Sequence, residues 1–155
     1  MNVIIVYASR TGNTEKIAFK IASELGCKAE KITKDSTFQL DSYDLVFLGT
    51  WIYGGEPSND LQNWLKALEF IDNKRVFSVF MTWAGGGASD KLAYQRVKLI
   101  LEGKGQRLQE HPFVCLGKTF GFARKSHPND QDMENAGKWA KQQLLQAEKS
   151  MQNPA

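Results

Sequence analysis

The sequence predicts an α/β fold: a doubly wound, five-stranded parallel sheet in the order 2-1-3-4-5, with helices on both faces. Three observations carry this. Short apolar runs that hardly alternate recur along the chain, as in strands covered on both sides. Stretches with helical apolar spacing lie between them, which implies parallel pairing through helical crossovers. Right-handed crossovers then leave few topologies.

The first strand is Val3–Ala8, rich in Val and Ile. Ile17, Ala18, Ile21, Ala22 and Leu25 follow at helical spacing, and Gly26 supplies a stop. Cys27–Ile32 is a weaker strand whose Lys and Glu residues suit a sheet edge. Leu45–Gly49 is the third strand. Leu61, Trp64, Leu65 and Leu68 form the next helical stripe, with Ser58 as N-cap after Pro57. Val76–Met81 is the fourth strand. Ala93, Val97, Ile100 and Leu101 mark a helix that ends at Gly103 or Gly105. Phe113–Gly117 is the fifth strand. Met133, Ala136, Ala140 and Leu144 mark a last helix that starts near His127-Pro128, with Pro in its first turn.

The 155 residues fit one domain, expected over 1–149, with a frayed tail at 150–155. Lys plus Arg number 20 and Asp plus Glu 17, a net charge of +3. These basic residues are scattered, so no nucleic-acid face is expected. No apolar stretch approaches the roughly 20 residues of a membrane span. The N-terminus has no basic leader, and the reading is a cytoplasmic protein. Cys27 and Cys115 are in no CxxC pair, and nothing around His111 or His127 has metal-ligand spacing.

In such a sheet, ligands bind beyond the carboxyl ends of the strands, at the switch point between the first and third. "SRTGNT", Ser9–Thr14, lies at that edge. Ser9, Thr11 and Thr14 carry hydroxyls and Asn13 an amide. Gly12 permits a tight path, and the helix start adds free N–H groups and positive dipole character. Together these suit a phosphate better than a simple capped turn does. The loop lacks the GxxxxGK[ST] lysine and the GxGxxG fingerprint, which argues against a nucleotide triphosphatase and a dinucleotide site.

"SRTGNT" after a first apolar strand resembles the phosphate loop of the flavodoxin family, [ST]-x-T-G-x-T. Chain length and strand spacing agree over almost the whole sequence. The resemblance implies noncovalent FMN and electron transfer. By it, Ser9, Arg10, Thr11, Gly12, Asn13 and Thr14 surround the phosphate. Arg10 replaces the commoner small residue and adds a positive charge.

The flat isoalloxazine ring prefers an aromatic face. In the second loop, "GTWIYGGEPSND", the resemblance implies that Thr50, Trp51, Ile52, Tyr53, Gly54 and Gly55 form the cofactor wall. Tyr53 is preferred to Trp51 as the stacking residue, because a flexible glycine follows it. In the family the peptide after the stacker flips on reduction. Trp51 then lies nearer the phosphate and ribityl end, or packs in the wall. In the third loop, "MTWAGGGASD", Trp83, Ala84, Gly85, Gly86 and Gly87 are expected at the ring edge, with backbone N–H groups facing the pyrimidine. The family's usual outer aromatic falls near Gly87, so one ring face is expected to be poorly covered. Phe120, Phe122, Arg124, Lys125 and His127 follow the fifth strand, at the same sheet edge, as a cover over the ring, a docking surface or the approach to a helix cap.

Two functions follow from the resemblance. One is an FMN electron carrier that docks redox protein partners, a reductase and an acceptor, at the flavin edge. The other is an FMN-dependent reductase of a small organic acceptor such as a quinone, a porphyrin-type molecule or a linear tetrapyrrole. The carrier is preferred, and no catalytic residue is assigned.

Overall fold

The computed structural model describes residues 1–118 and 126–152. Seven strands and four helices alternate along it. They are β1 (Val3–Tyr7), α1 (Asn13–Leu25), β2 (Lys28–Lys31), β3 (Leu45–Tyr53), β4 (Glu56–Pro57), α2 (Asn59–Ala67), β5 (Val76–Trp83), α3 (Ser89–Glu102), β6 (Arg107–Leu108), β7 (Phe113–Leu116) and α4 (Asp130–Gln152).

The sheet runs β2-β1-β3-β5, and β6 and β7 both pair with the outer side of β5. These pairings are parallel, with Ile5 opposite Ala29 and Phe47, and Phe47 opposite Ser78. This is the expected 2-1-3-4-5 order, with the fifth strand in two pieces. Phe77 pairs with Leu108 and Phe80 with Phe113, so two residues of β5 face four of the outer strand. His111 sits at φ 63 inside that break. Gln109 takes up the polar slack: its side-chain amide donates to Gln143 O at 3.1 Å, and its backbone O accepts from Tyr94 Oη at 3.0 Å.

Alternate strand residues feed two cores. Ile4, Val6, Val46, Leu48, Phe77, Val79 and Met81 meet Leu61, Trp64 and Leu65 of α2 and Ala93, Val97 and Leu101 of α3. Ile5, Tyr7, Leu45, Phe47, Val76 and Phe80 meet Ile17, Ala18 and Ile21 of α1 and Ala136, Ala140 and Ala147 of α4. Burying each large side chain contributes roughly 1.5–3 kcal/mol, so the two layers fix the sheet and thereby the loops at its carboxyl edge.

The helix ends follow local chemistry. Gly26 closes α1 at φ 63, a left-handed geometry that glycine adopts without strain. Ser58 Oγ accepts from Leu61 N at 3.3 Å at the head of α2. α4 begins at Asp130, two residues after Pro128, and its cap is Asn129. Asn129 Oδ1 accepts from Asp132 N at 2.9 Å, and Asp132 Oδ2 accepts from Asn129 N at 2.8 Å, a reciprocal capping box. α4 continues through Gln152, so residues 150–152 are helical. No described helix is long and apolar enough to cross a membrane.

β3 and β5 run further than their apolar cores suggest, to Tyr53 and Trp83. Parallel pairing persists to Trp51 opposite Thr82. Beyond it β3 turns back on itself: Ile52 pairs with Pro57 and Tyr53 with Glu56, antiparallel. The two-residue loop is Gly54–Gly55, at φ 58 and 79. Positive φ at both central residues is the signature of the type I′ hairpin turn, which matches the twist of its strands.

Candidate functional site

A cleft of about 240 Å³ opens at the carboxyl edge of the sheet. It is lined by Arg10, Thr11 and Asn13 from the first loop, Trp51, Ile52 and Tyr53 from the end of β3, Thr82, Trp83 and Ala84 from the end of β5, and Gly117 and Lys118 after β7.

The first loop is shaped from within. Ser9 Oγ accepts from Gly12 N at 3.2 Å and from Glu15 N at 3.3 Å, which folds the chain over the start of α1. Gly12 holds φ 89 at the N-cap and offers no capping side chain. Arg10 and Thr11 are exposed at the cleft. Thr14 is fully buried, and its hydroxyl pairs with that of Thr82 at 2.9 Å, tying α1 to β5 beneath the cleft floor. Asn13 Nδ2 donates to Lys118 O at 3.0 Å and to Thr11 Oγ1 at 3.2 Å, clasping the loop to the exit of β7. Gly117 makes room for that clasp, since a Cβ there would stand 2.6 Å from Asn13 Nδ2.

The acid nearest this loop is already engaged. Glu15 accepts from Tyr7 Oη at 2.8 Å and pairs with Lys31 Nζ at 3.6 Å. Burial first, and Glu15 next, push the Tyr7 phenol well above its ordinary value, so it stays a neutral donor. Among the residues lining the cleft, the charged side chains are Arg10 and Lys118, both cationic.

The second loop is the β3–β4 hairpin. Its base is pinned: Thr50 is buried, and its Oγ1 accepts from Ser58 N at 2.9 Å. Trp51 is half-buried, Ile52 buried, and Tyr53 is 81% exposed beside the cleft. An aromatic this exposed at the mouth of a cleft has one face free for a partner ring. In the third loop, Gly85, Gly86 and Gly87 all have positive φ, at 84, 118 and 59. Trp83 and Ala84 line the cleft, and the three glycines follow them in the chain without a side chain to offer.

The structure therefore brings Arg10, Thr11, Asn13, Trp51, Ile52, Tyr53, Trp83 and Ala84 to one cleft. Ser9, Gly12, Thr14 and Thr50 act beneath or behind it. Gly54, Gly55 and Gly85–Gly87 shape its flanking turns. Sequence reasoning missed Thr82, Gly117 and Lys118. Position just past the fifth strand's carboxyl end was the one available signal for the last two. Phe120, Phe122, Arg124 and Lys125 lie outside the described residues. His127 is tied up with Asp132, Nδ1 to Oδ2 at 2.7 Å, at the head of α4.

The donor set fits a phosphorylated aromatic cofactor. Hydroxyl, amide and cationic groups near a helix N-terminus and three aromatics line the same cleft. Fold and cleft define a doubly wound α/β protein with an open cleft at the switch point of its sheet. The chain belongs to the flavodoxin domain family, whose model matches residues 4–120. It is 39% identical over 166 residues to Flavodoxin 1 of Escherichia coli, covering 89% of this chain and 90% of that protein. It is 30% identical over 165 residues to the flavodoxin-like domain-containing protein BilS of Clostridioides difficile, covering 99% of this chain and 88% of that one. The fold also matches the crystal structure of Fusobacterium nucleatum flavodoxin bound to flavin mononucleotide. There the TM-score is 0.67 at 15% identity, over 94% of this chain and 98% of that one.

Proposed function

We propose that the cleft holds one FMN and that the protein is an FMN-binding electron-transfer protein exchanging electrons with redox protein partners. One observation supports this above the rest: a single cleft joins the Arg10–Asn13 loop to Trp51, Tyr53 and Trp83. Bound FMN supplies reversible one-electron chemistry. The protein's part is to bind, orient and tune.

The Ser9–Thr14 loop takes the phosphate through Thr11, Arg10 and the free N–H groups at the start of α1, while the Asn13 amide holds the loop in shape. Thr14 holds that helix start against Thr82. Tyr53 offers a stacking face, and Trp51 and Trp83 close the wall. Gly54–Gly55 suits a peptide that must turn over. Reversing it converts a type I′ turn to type II′, and both join the same two strands without splaying them. In the turned-over form, the carbonyl of that peptide could accept a hydrogen bond from a bound flavin.

A reductase and an acceptor dock at the exposed ring edge beside Tyr53. The glycine run at Gly85–Gly87 favours a second reading, in which a small organic acceptor reaches the ring directly. Steady-state NAD(P)H turnover with quinones, with and without partner proteins, separates the two.

Thr11→Val tests the phosphate grip. It removes a hydroxyl at the cleft and should weaken FMN far more than riboflavin, which lacks the phosphate. Equal losses for both flavins would refute this role for the loop.

A further inference from the structure

The hairpin that carries Tyr53 and Gly54–Gly55 is pinned at its base by Thr50 and Ser58, but its tip meets a different element. Glu56, paired with Tyr53 across the hairpin, receives a two-pronged hydrogen bond from Arg96 of α3. Arg96 Nε stands 3.1 Å from Glu56 Oε2, and Nη2 stands 2.9 Å from Oε1. Leu92, one turn earlier on α3, covers Gly55. A Cβ at Gly55 would stand 3.1 Å from Leu92 Cδ1. Gly55 is buried although it is a turn residue, and Leu92 is 60% exposed on its outer side. Gln62 steadies the same carboxylate's strand, donating to Pro57 O at 2.9 Å.

We propose that Arg96 and Leu92 are positioning residues for the cofactor: α3 clamps the Tyr53–Glu56 hairpin and thereby sets the ring-side affinity and the bias of the Gly54–Gly55 peptide. This rests on the FMN reading above. The planar fork of Arg96 matches a carboxylate in two bonds at once, so it fixes orientation as well as distance. The turnover of the peptide changes ψ of Gly54 and φ of Gly55. Gly55 is the residue against which Leu92 packs. A clamp on that residue acts on the equilibrium between the two turn types, not on the phosphate end of the cleft.

The test uses the full chain and compares wild type with Arg96→Met, Glu56→Gln and the reversed pair Glu56→Arg/Arg96→Glu. The measurements are the dissociation constants of FMN and of riboflavin, and the two one-electron potentials of bound FMN. Arg96→Met and Glu56→Gln should weaken both flavins by the same factor, roughly two- to fivefold as for an exposed ion pair. They should also change the separation of the two potentials. The reversed pair should restore the affinity. The gap between wild type and Arg96→Met should close in about 1 M NaCl, where the Debye length is about 3 Å. A general loss of stability would not move the spacing of the potentials. Single variants with wild-type affinity and potentials would overturn the clamp and leave the cofactor reading standing. So would a loss confined to FMN, or a reversed pair no better than the singles. Wild-type protein that binds neither flavin would overturn both.

Discussion

Single residues at the cleft fall into those that open onto it and those that hold other residues in place. Tyr53, 81% exposed, is the clearest of the first kind. Tyr53→Ala should loosen FMN by roughly 1–3 kcal/mol, with base–aromatic stacking as the guide. Trp51→Ala is the control, measured by flavin fluorescence titration. A large loss from Trp51→Ala with none from Tyr53→Ala would transfer the stacking role to Trp51. Gly117 is the clearest of the second kind. Its missing Cβ leaves space for the Asn13 amide that clasps Lys118 O. Gly117→Ala should therefore weaken FMN more than Asn13→Ala does, because it displaces the loop and does not merely untie it. This residue pair shows where sequence reading stopped. The six residues of "SRTGNT" stand out in the sequence because their donors are contiguous. Gly117 and Lys118 lie more than a hundred positions away, and only the closed sheet brings them to the same cleft. The Thr14 hydroxyl pairs with that of Thr82, a contact no local pattern announces.

At the scale of elements, the five-stranded order was legible because buried strands are apolar whatever their neighbours. Two features were not. β4 is only Glu56–Pro57, too short and polar to register, although Gly54–Gly55 between Tyr53 and Glu56 is hairpin chemistry. β6, Arg107–Leu108, is equally short, and the break after it was invisible. Close approaches between elements give the sharpest mutational contrast. A Cβ on Gly49 would stand 2.3 Å from Phe80 Cζ and 2.8 Å from Tyr7 Cβ, between β1 and β5. A Cβ on Gly137 would meet Glu24 Cγ at 2.9 Å, where α4 crosses α1. Both substitutions gain about 0.5–1 kcal/mol from lost backbone freedom. At Gly49 the obstacle is a buried ring and a backbone-anchored carbon, so overpacking of roughly 1–3 kcal/mol wins. At Gly137 the obstacle is the Glu24 side chain, which can shift at the expense of its partly exposed ion pairs with Lys20 and Lys141. Urea denaturation should find Gly49→Ala clearly destabilised and Gly137→Ala much nearer to wild type. The reverse ranking would contradict the packing described here.

For the molecule as a whole, acid is the informative stress. Glu24 joins α1 to α4: Lys141 Nζ stands 2.6 Å from its Oε2, and Lys20 pairs with its other oxygen. The hydrogen bond from Lys141, then that from Lys20, hold its carboxyl at about 2. Arg96 likewise lowers Glu56, and Lys138 lowers Glu134. A carboxyl depressed in the folded state adds stability that is present above its unfolded value, about 4.3 for glutamate. That stability is lost as pH falls through the folded value. Wild-type stability should thus decline between about pH 4 and pH 2 more steeply than that of Glu24→Gln, and the two should converge near pH 2. Urea midpoints across that range decide it, and parallel curves would remove Glu24 from the account. Cys115 reports on the same global event. Burial first, and Asp132 second, push its thiol up to about 12. It should resist alkylation near neutral pH until the sheet opens, so its labelling rate should track unfolding. Rapid labelling of native protein would place it nearer the surface than β7 allows.

The interrupted outer strand has a further consequence, for solubility under stress. A sheet edge exposes a row of unpaired N–H and C=O groups on which another chain can extend the ladder. Here that row stops at Leu108 and resumes at Phe113, offset by two residues. Within the gap, Pro112 has no N–H to offer, and His111 turns the backbone to φ 63. The opposite edge, β2, carries exposed Lys28 and Lys31. Among the described residues, neither border presents a long, uninterrupted, uncharged template. Deleting Glu110 and His111 would bring the two pieces into one register and give an incoming strand a continuous rail. Such a variant should scatter more light than wild type when refolded at high concentration, even if its cofactor cleft is intact.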